Sequence, residues 1–374
     1  MIDQLLDLAE IIAAFGGGAF GAALGALPAF IFTGFMVIAG EAAAITGVEG
    51  ADAITANVAF GPPFSPAISF AGGAAATAYA ARRGYIDTGF DYHEAKNIAF
   101  ALGTKPDVLA VGGAFGVLGY WLTTISAQFV GGMPYDPIAM GVVLSALFHR
   151  LILGYSIIGK VRGSGILDMT PFEREERRPA ADVATDGGEA EAQADAAPAA
   201  AAQTGRFAVE PWLPHQYKWA NVAAIGAVAG LLGAYVAIST ESAFLAFGIS
   251  AATLVFLNCG VEQIPVTHHM TLPASTAAMS VYDWGGSGEF FDPNLVTYQD
   301  GALLAAQPLE VALLVGLVFG VISALFGELF QRVFYAHGDT HWDPPAAAIV
   351  FGTFVVSIMY ALGVFPHTVW VPWF

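Results

Sequence analysis

The chain has 374 residues, 56% of them apolar and only 12% charged, with a mean hydropathy of +0.63. Soluble domains carry about 25% charged residues, so this composition argues against a water-facing globule. A net charge of −18, from 13 Lys+Arg against 31 Asp+Glu, argues against nucleic acid as a partner.

In chain order the apolar runs fall into two sets. Spanning a bilayer takes roughly 20 mainly apolar residues as a helix. The run from Ile11 to Thr46 is too long for one span, and GALP at Gly25–Pro28 divides it into two. Asn57 to Ala81 is apolar but interrupted by Gly61, Pro62, Pro63 and Pro66, which predicts a broken element. Cleaner spans follow at Asp107–Val130 and Pro137–Ile158. Residues 162–211 then lose hydropathy in EREERR and an acidic, Ala- and Gly-rich tract. Such a tract buries too little apolar surface to offset its ordering entropy, so a disordered linker is expected there. The second set comprises Trp219–Ser239, Ala243–Asn258, Gln263–Val281, Pro308–Arg332 and Pro345–Val364.

Both sets read as two spans, a proline-broken third element, then two spans. Val111-Gly112-x-x-Phe115-Gly116-Val117 is mirrored by Val315-Gly316-x-x-Phe319-Gly320-Val321, Asp136-Pro137 by Asp343-Pro344, and Pro66-Ala67 by Pro273-Ala274. The expectation is an all-α polytopic membrane protein of two homologous halves, 1–161 and 212–374, with about five transmembrane elements each. Lys and Arg concentrate in cytoplasmic loops. The linker and its flanks hold Lys160, Arg162, Arg174, Arg177, Arg178, Arg206 and Lys218, which places 162–211 in the cytoplasm. With every element crossing, the halves are inverted repeats; with re-entrant third elements they would be parallel. MIDQLLDLAE has acids where a signal peptide needs cations, so no cleavage is expected. One cysteine, Cys259, allows no internal disulfide. Four lysines among so many acids fit a halophilic origin.

Irregular backbone at membrane depth must be buried in protein or line a wet cavity. In AFGPPFSPAISFAGG a helix is expected to start near Ser65 or Pro66, with Ser65 as its cap. In QIPVTHHMTLPASTAAM a start is expected around Thr271 and Pro273. Inverted repeats with discontinuous helices at their interface recur in secondary transporters. Ser65, Thr267, His268, His269 and Thr271 are therefore candidates to bind a solute between the two helix starts. An imidazole offers one donor and one acceptor, or a proton carrier. No histidine occupies the corresponding place in the first half.

Glu41, Glu49, Glu262 and Glu328 are candidates for ion or proton coupling, although the first three lie near predicted loops. His149 and Arg150 form a further polar pair within a span. His337, Asp339, His341 and Asp343 alternate, which on an extended segment could hold a divalent metal; a solvated acidic loop is the simpler account, and no metal or cofactor is expected. The leading functional expectation is a channel or secondary transporter for a small ion or polar solute, in the cell membrane and homo-oligomeric. A structural or assembly subunit of a larger complex is the alternative, and an intramembrane enzyme the third. A continuous polar cavity at mid-membrane would favour transport.

Overall fold

The structure is a computed structural model and describes residues 1–48, 50, 53–178, 205–285, 298–299 and 301–373. Among the described residues the regular elements are helices, without a strand. Five helices among these residues are long and apolar enough to cross a membrane: Ala26–Ile45, Pro106–Gln128, Trp219–Thr240, Leu309–Tyr335 and Pro344–Ala361. Shorter apolar helices are Leu8–Leu24, Pro137–Leu153 and Leu245–Asn258.

In the first half, α1 (Leu8–Leu24) is capped by Asp7, whose carboxylate accepts the Ala9 and Glu10 amides. α2 (Ala26–Ile45) follows directly. The break between them is Gly25, at φ +94°, where a Cβ would lie 2.9 Å from the Phe100 carbonyl oxygen; only glycine fits. A π-helical turn at Ile54–Ala59 and a second at Pro66–Phe70 lead into α3 (Ala71–Arg82). Pro66 occupies the first position of its turn, where a missing N–H costs little. Ser65 does not cap that start with its side chain; its backbone carbonyl instead accepts from Ile68 and Ser69. α4 (Pro106–Gln128) and α5 (Pro137–Leu153) complete the half.

The second half contains α6 (Trp219–Thr240), α7 (Leu245–Ala252, with a short continuation at Leu254–Asn258), α8 (His268–Val281), α9 (Leu309–Phe330) and α10 (Pro344–Ala361). A π-helical turn, Gln331–Tyr335, extends α9. α8 starts at His268, earlier than Thr271 or Pro273, and takes Pro273 inside it. The ring removes the amide that would pair with the His269 carbonyl.

Glycine faces set the closest helix pairs. α1 meets α4 where a Cβ on Gly18 would lie 2.3 Å from the Gly112 carbonyl oxygen and 2.7 Å from Gly116 Cα. α6 meets α9 likewise, with a Cβ on Gly230 2.5 Å from the Gly316 oxygen and 3.1 Å from Gly320 Cα. Small residues allow such approach in lipid, where packing replaces the hydrophobic drive. Two further pairs join the halves. In α2 and α7, Gly34 faces Ala251 and Ala252 while Val37 faces Gly248, so these helices run antiparallel. α5 and α10 are also antiparallel: the Asp136 amide donates to Thr353 Oγ1 at 2.9 Å, and His149 Nε2 lies 2.8 Å from Thr340 Oγ1.

Both described ends of the expected linker are ordered parts of the fold. Residues 162–178 and 205–211 pack into the fold, burying Met169, Arg178, Arg206, Val209 and Glu210. Residues 179–204 lie outside the described residues. The low-hydropathy average masked these few anchors, of which Glu210 pairs with Lys96, and Arg178 and Arg206 with Asp339. Near its start, the Asp168 carboxylate accepts the amides and hydroxyls of Ser164 and Thr170, which hold it well below the usual carboxylate range.

Candidate functional site

A cavity of about 460 Å³ lies where the two halves meet. Its middle is walled by Phe30 of α2, Phe70 before α3, Val142 of α5, Phe247 of α7, His268 and Leu272 of α8, and Ile349 of α10. One end is bounded by Lys96, Asn97, Trp212, Tyr335, His341 and Asp343, and the other by Phe60, Asp136, Phe244 and Trp370. The same aromatic and aliphatic side chains form the main buried cluster, so the cavity is a gap in the core shared by both halves. Its lining is mainly apolar, in contrast to the polar cavity expected of a transporter.

His268 is the polar group at the middle of the wall, with 5% of its surface exposed. Its ring centroid lies 4.7 Å from that of Phe30 and 5.9 Å from that of Phe247. Nδ1 is buried with no hydrogen-bond partner. His269, one position on and about 100° around the helix, turns away from the cavity towards Trp212, 5.9 Å between ring centroids, and Gly327. Thr271 faces α6 at Gly233 and its hydroxyl donates to the His268 carbonyl at 3.2 Å. The Thr267 hydroxyl bonds that of Ser250. Ser65 is buried beside the wall, which Pro66 reaches in its place. Of the five solute-binding candidates, the structure puts His268 alone on the cavity wall.

Buried charges surround the Lys96 end. Lys96 Nζ is 2.6 Å from Glu210 Oε2 and donates to the Tyr335 carbonyl at 2.8 Å, with both charged side chains sealed from solvent. Burial pushes the ammonium down to about 8 despite Glu210. Asp339 pairs with Arg206 and, at 3.2 Å, with Arg178. Burial alone would raise its pKa; Arg206 and Arg178 bring it well below the usual carboxylate range. Burial, reinforced by Arg206, pushes the neighbouring His93 down to about 3.

This network also separates the four alternating residues considered for a metal. His337 bonds the Ile166 carbonyl and Arg162 amide, Asp339 takes the two arginines, and His341 Nε2 sits 3.1 Å from Asp343. Among the described residues no cluster of three or more metal-binding side chains occurs. The segment is neither a ligand set nor a solvated loop, because the flanks of the 162–211 segment cover it.

A single family model matches residues 1–374. The chain belongs to DUF7973, a family of unknown function. No curated protein and no solved structure matches it.

The coupling candidates have ordinary partners or lie apart from the cavity. Glu41 accepts the Thr55 hydroxyl at 2.7 Å and the Ser242 hydroxyl at 2.5 Å, tying α2 to the start of α7. Glu328 is buried against Arg332 at 2.6 Å and Gln331 at 3.0 Å. Glu262 is exposed in a loop, and Glu49 lies outside the described residues. His149 and Arg150 both bond Thr340. Sequence reasoning missed Lys96, Asp136, Asp343 and the phenylalanines as wall residues. The two Asp-Pro pairs did carry a signal: as helix caps on α5 and α10 they stand at opposite ends of the cavity.

Proposed function

We propose that the protein is a transport protein of the cell membrane, a channel or carrier whose solute passes through the cavity between two inverted halves. The observation that carries this reading is the cavity itself. It is shared by both halves, bounded by Pro66 and Phe70 on one side and His268 and Leu272 on the other, with an unpartnered imidazole at its middle. A scaffold subunit would have close packing there instead.

The inverted duplication is supported by the helix pairs. In the proposed correspondence α1 matches α6, α2 matches α7, the Pro66–Arg82 element matches α8, α4 matches α9 and α5 matches α10. Equivalent helices α2 and α7 run antiparallel, as do α5 and α10. Parallel halves would make both pairs parallel. The glycine contact of α1 with α4 recurs between α6 and α9. With all elements crossing, the 162–211 segment faces the cytoplasm under the charge rule.

The test is flux through purified protein in liposomes, across a panel of small ions and neutral solutes. Some solute should move above the rate of empty liposomes. Losing one hydrogen bond to an uncharged solute costs about 0.5–1.5 kcal/mol, so His268→Ala should weaken its transport by roughly 2- to 10-fold. His269→Ala, off the wall, should change it less. Absence of flux for the whole panel, with folded protein, would overturn the reading.

A further inference from the structure

The chemistry of the cavity wall names a solute class for the proposed transport reading, on which this inference rests. Three charged side chains reach the wall, and each already has its partner. Lys96 is paired with Glu210 at 2.6 Å and with the Tyr335 carbonyl. Asp136 accepts the Ile138 and Ala139 amides at 2.8 and 3.1 Å at the start of α5. Asp343 accepts the Ala346 amide at 2.8 Å and faces His341 Nε2 at 3.1 Å. An ion at the middle of the cavity would meet phenylalanine, leucine and isoleucine with no counter-charge, and burying an unpaired charge is strongly unfavourable.

Three buried polar atoms of wall residues, by contrast, lack partners: His268 Nδ1 at the middle, and His341 Nδ1 and the Tyr92 hydroxyl near the Lys96 end. Orphaned buried polar atoms are rare in folded proteins and call for an explanation. The volume, about 460 Å³, lies within the range of small-molecule sites, which are mostly apolar with a few placed polar groups. We infer that the cavity binds an uncharged, predominantly apolar or aromatic small molecule that carries one hydrogen-bonding group for His268.

Four probes test this with protein in lipid nanodiscs and empty nanodiscs as the baseline: phenol, toluene, tetramethylammonium and acetate. Binding is read by saturation-transfer NMR and by the shift in melting temperature. Phenol and toluene should bind above the baseline, and the two ions should not. In His268→Phe, which keeps a flat ring and removes the hydrogen-bonding nitrogens, the affinity ratio of phenol to toluene should fall by roughly 2- to 10-fold. That ratio cancels the probes' different hydrophobicities. Should His268→Phe fail to fold, His268→Leu supplies the same comparison. Binding of either ion in place of phenol, or of none of the four, would overturn the assignment. So would an unchanged ratio in a folded variant. Flux of inorganic ions in liposomes from the same preparation would then show transport surviving while the solute class fails.

Discussion

Glu210→Gln removes one charge from a sealed cluster, in which Glu210 faces Lys96 and, at 3.6 Å, Arg206, and leaves the shape almost unchanged. Lys96 and Glu210 stand 2.6 Å apart with neither side chain reaching solvent. At an effective dielectric constant of about 20, that separation is worth roughly 6 kcal/mol of attraction, offset in part by the cost of bringing both charges out of water. Glutamine keeps an acceptor for Lys96 but removes the charge, so the ammonium is left buried beside Arg206 and Arg178. Breaking one side of such a pair costs about 3–5 kcal/mol. Gln should fall near the lower figure and Glu210→Leu, which also loses the acceptor, near the upper. Lys96→Met with Glu210→Leu removes both charges and should recover part of the loss, because Arg206 also loses Glu210 but keeps Asp339. The assay is thermal unfolding in detergent, followed by tryptophan fluorescence and by retention on gel filtration. pH adds an independent check. Lys96 is held near 8 when folded, below its ordinary value of 10.5. The unfolded chain therefore binds more protons between those values, and wild-type stability should rise as pH climbs through about 8 to 10.5, relative to Lys96→Met. Equal stability of Glu210→Gln and wild type, or a double variant no better than the single ones, would refute the reasoning.

Three other outcomes follow from the packing and the charge distribution. Gly119→Ala should abolish monodisperse expression, because its Cβ would lie 1.6 Å from the Ala67 carbonyl oxygen; Gly16→Ala, with nothing within 4 Å, should be neutral or stabilising by up to about 1 kcal/mol. Excision of 179–204 through a short Gly/Ser join should leave the gel-filtration profile unchanged, since the Arg178 amide already bonds the Arg206 carbonyl at 2.9 Å; excision of 165–210 removes Arg178, Arg206 and Glu210 and should destroy the profile. In a Cys259→Ala background, cysteines at the exposed positions of Val48 and Leu303 should react with an impermeant maleimide in intact cells, and those at Phe90 and Leu167 only after lysis. Labelling of the Leu303 position solely after lysis would contradict the inverted orientation.

The helices were legible in the sequence because lipid demands long apolar runs and glycine and proline end them. Trp219–Ser239 was expected and Trp219–Thr240 is found; Pro137–Ile158 overshoots because Gly154, at φ +75°, closes α5 after Leu153. His268 was legible as a costly polar residue among apolar neighbours. The aromatic wall was not. Phe30 lines the cavity while Phe32 and Phe35 of the same helix are exposed on its outer faces, and residue type cannot tell a lipid face from an internal void. Nor could Lys96–Glu210 be read, since its members are 114 positions apart and Glu210 falls in a tract whose composition points to disorder. The start of α8 was misplaced because Pro273 was taken as a first-turn proline, whereas the tightly packed helix carries it five positions further in.

The imidazole at the cavity has no twin. In the correspondence that sets Pro66 against Pro273, His268 falls opposite Gly61, and a Cβ there would lie 2.0 Å from the Asn57 carbonyl oxygen. Packing therefore forbids any side chain at Gly61, and no drift of sequence short of rebuilding the Asn57–Gly61 turn could supply a matching group there. Under the proposed transport reading, a molecule entering the cavity from one face would reach His268 past different walls from one entering by the other. Half-saturation concentrations measured in the two directions should then be unequal, with rectification arising from a single crowded glycine.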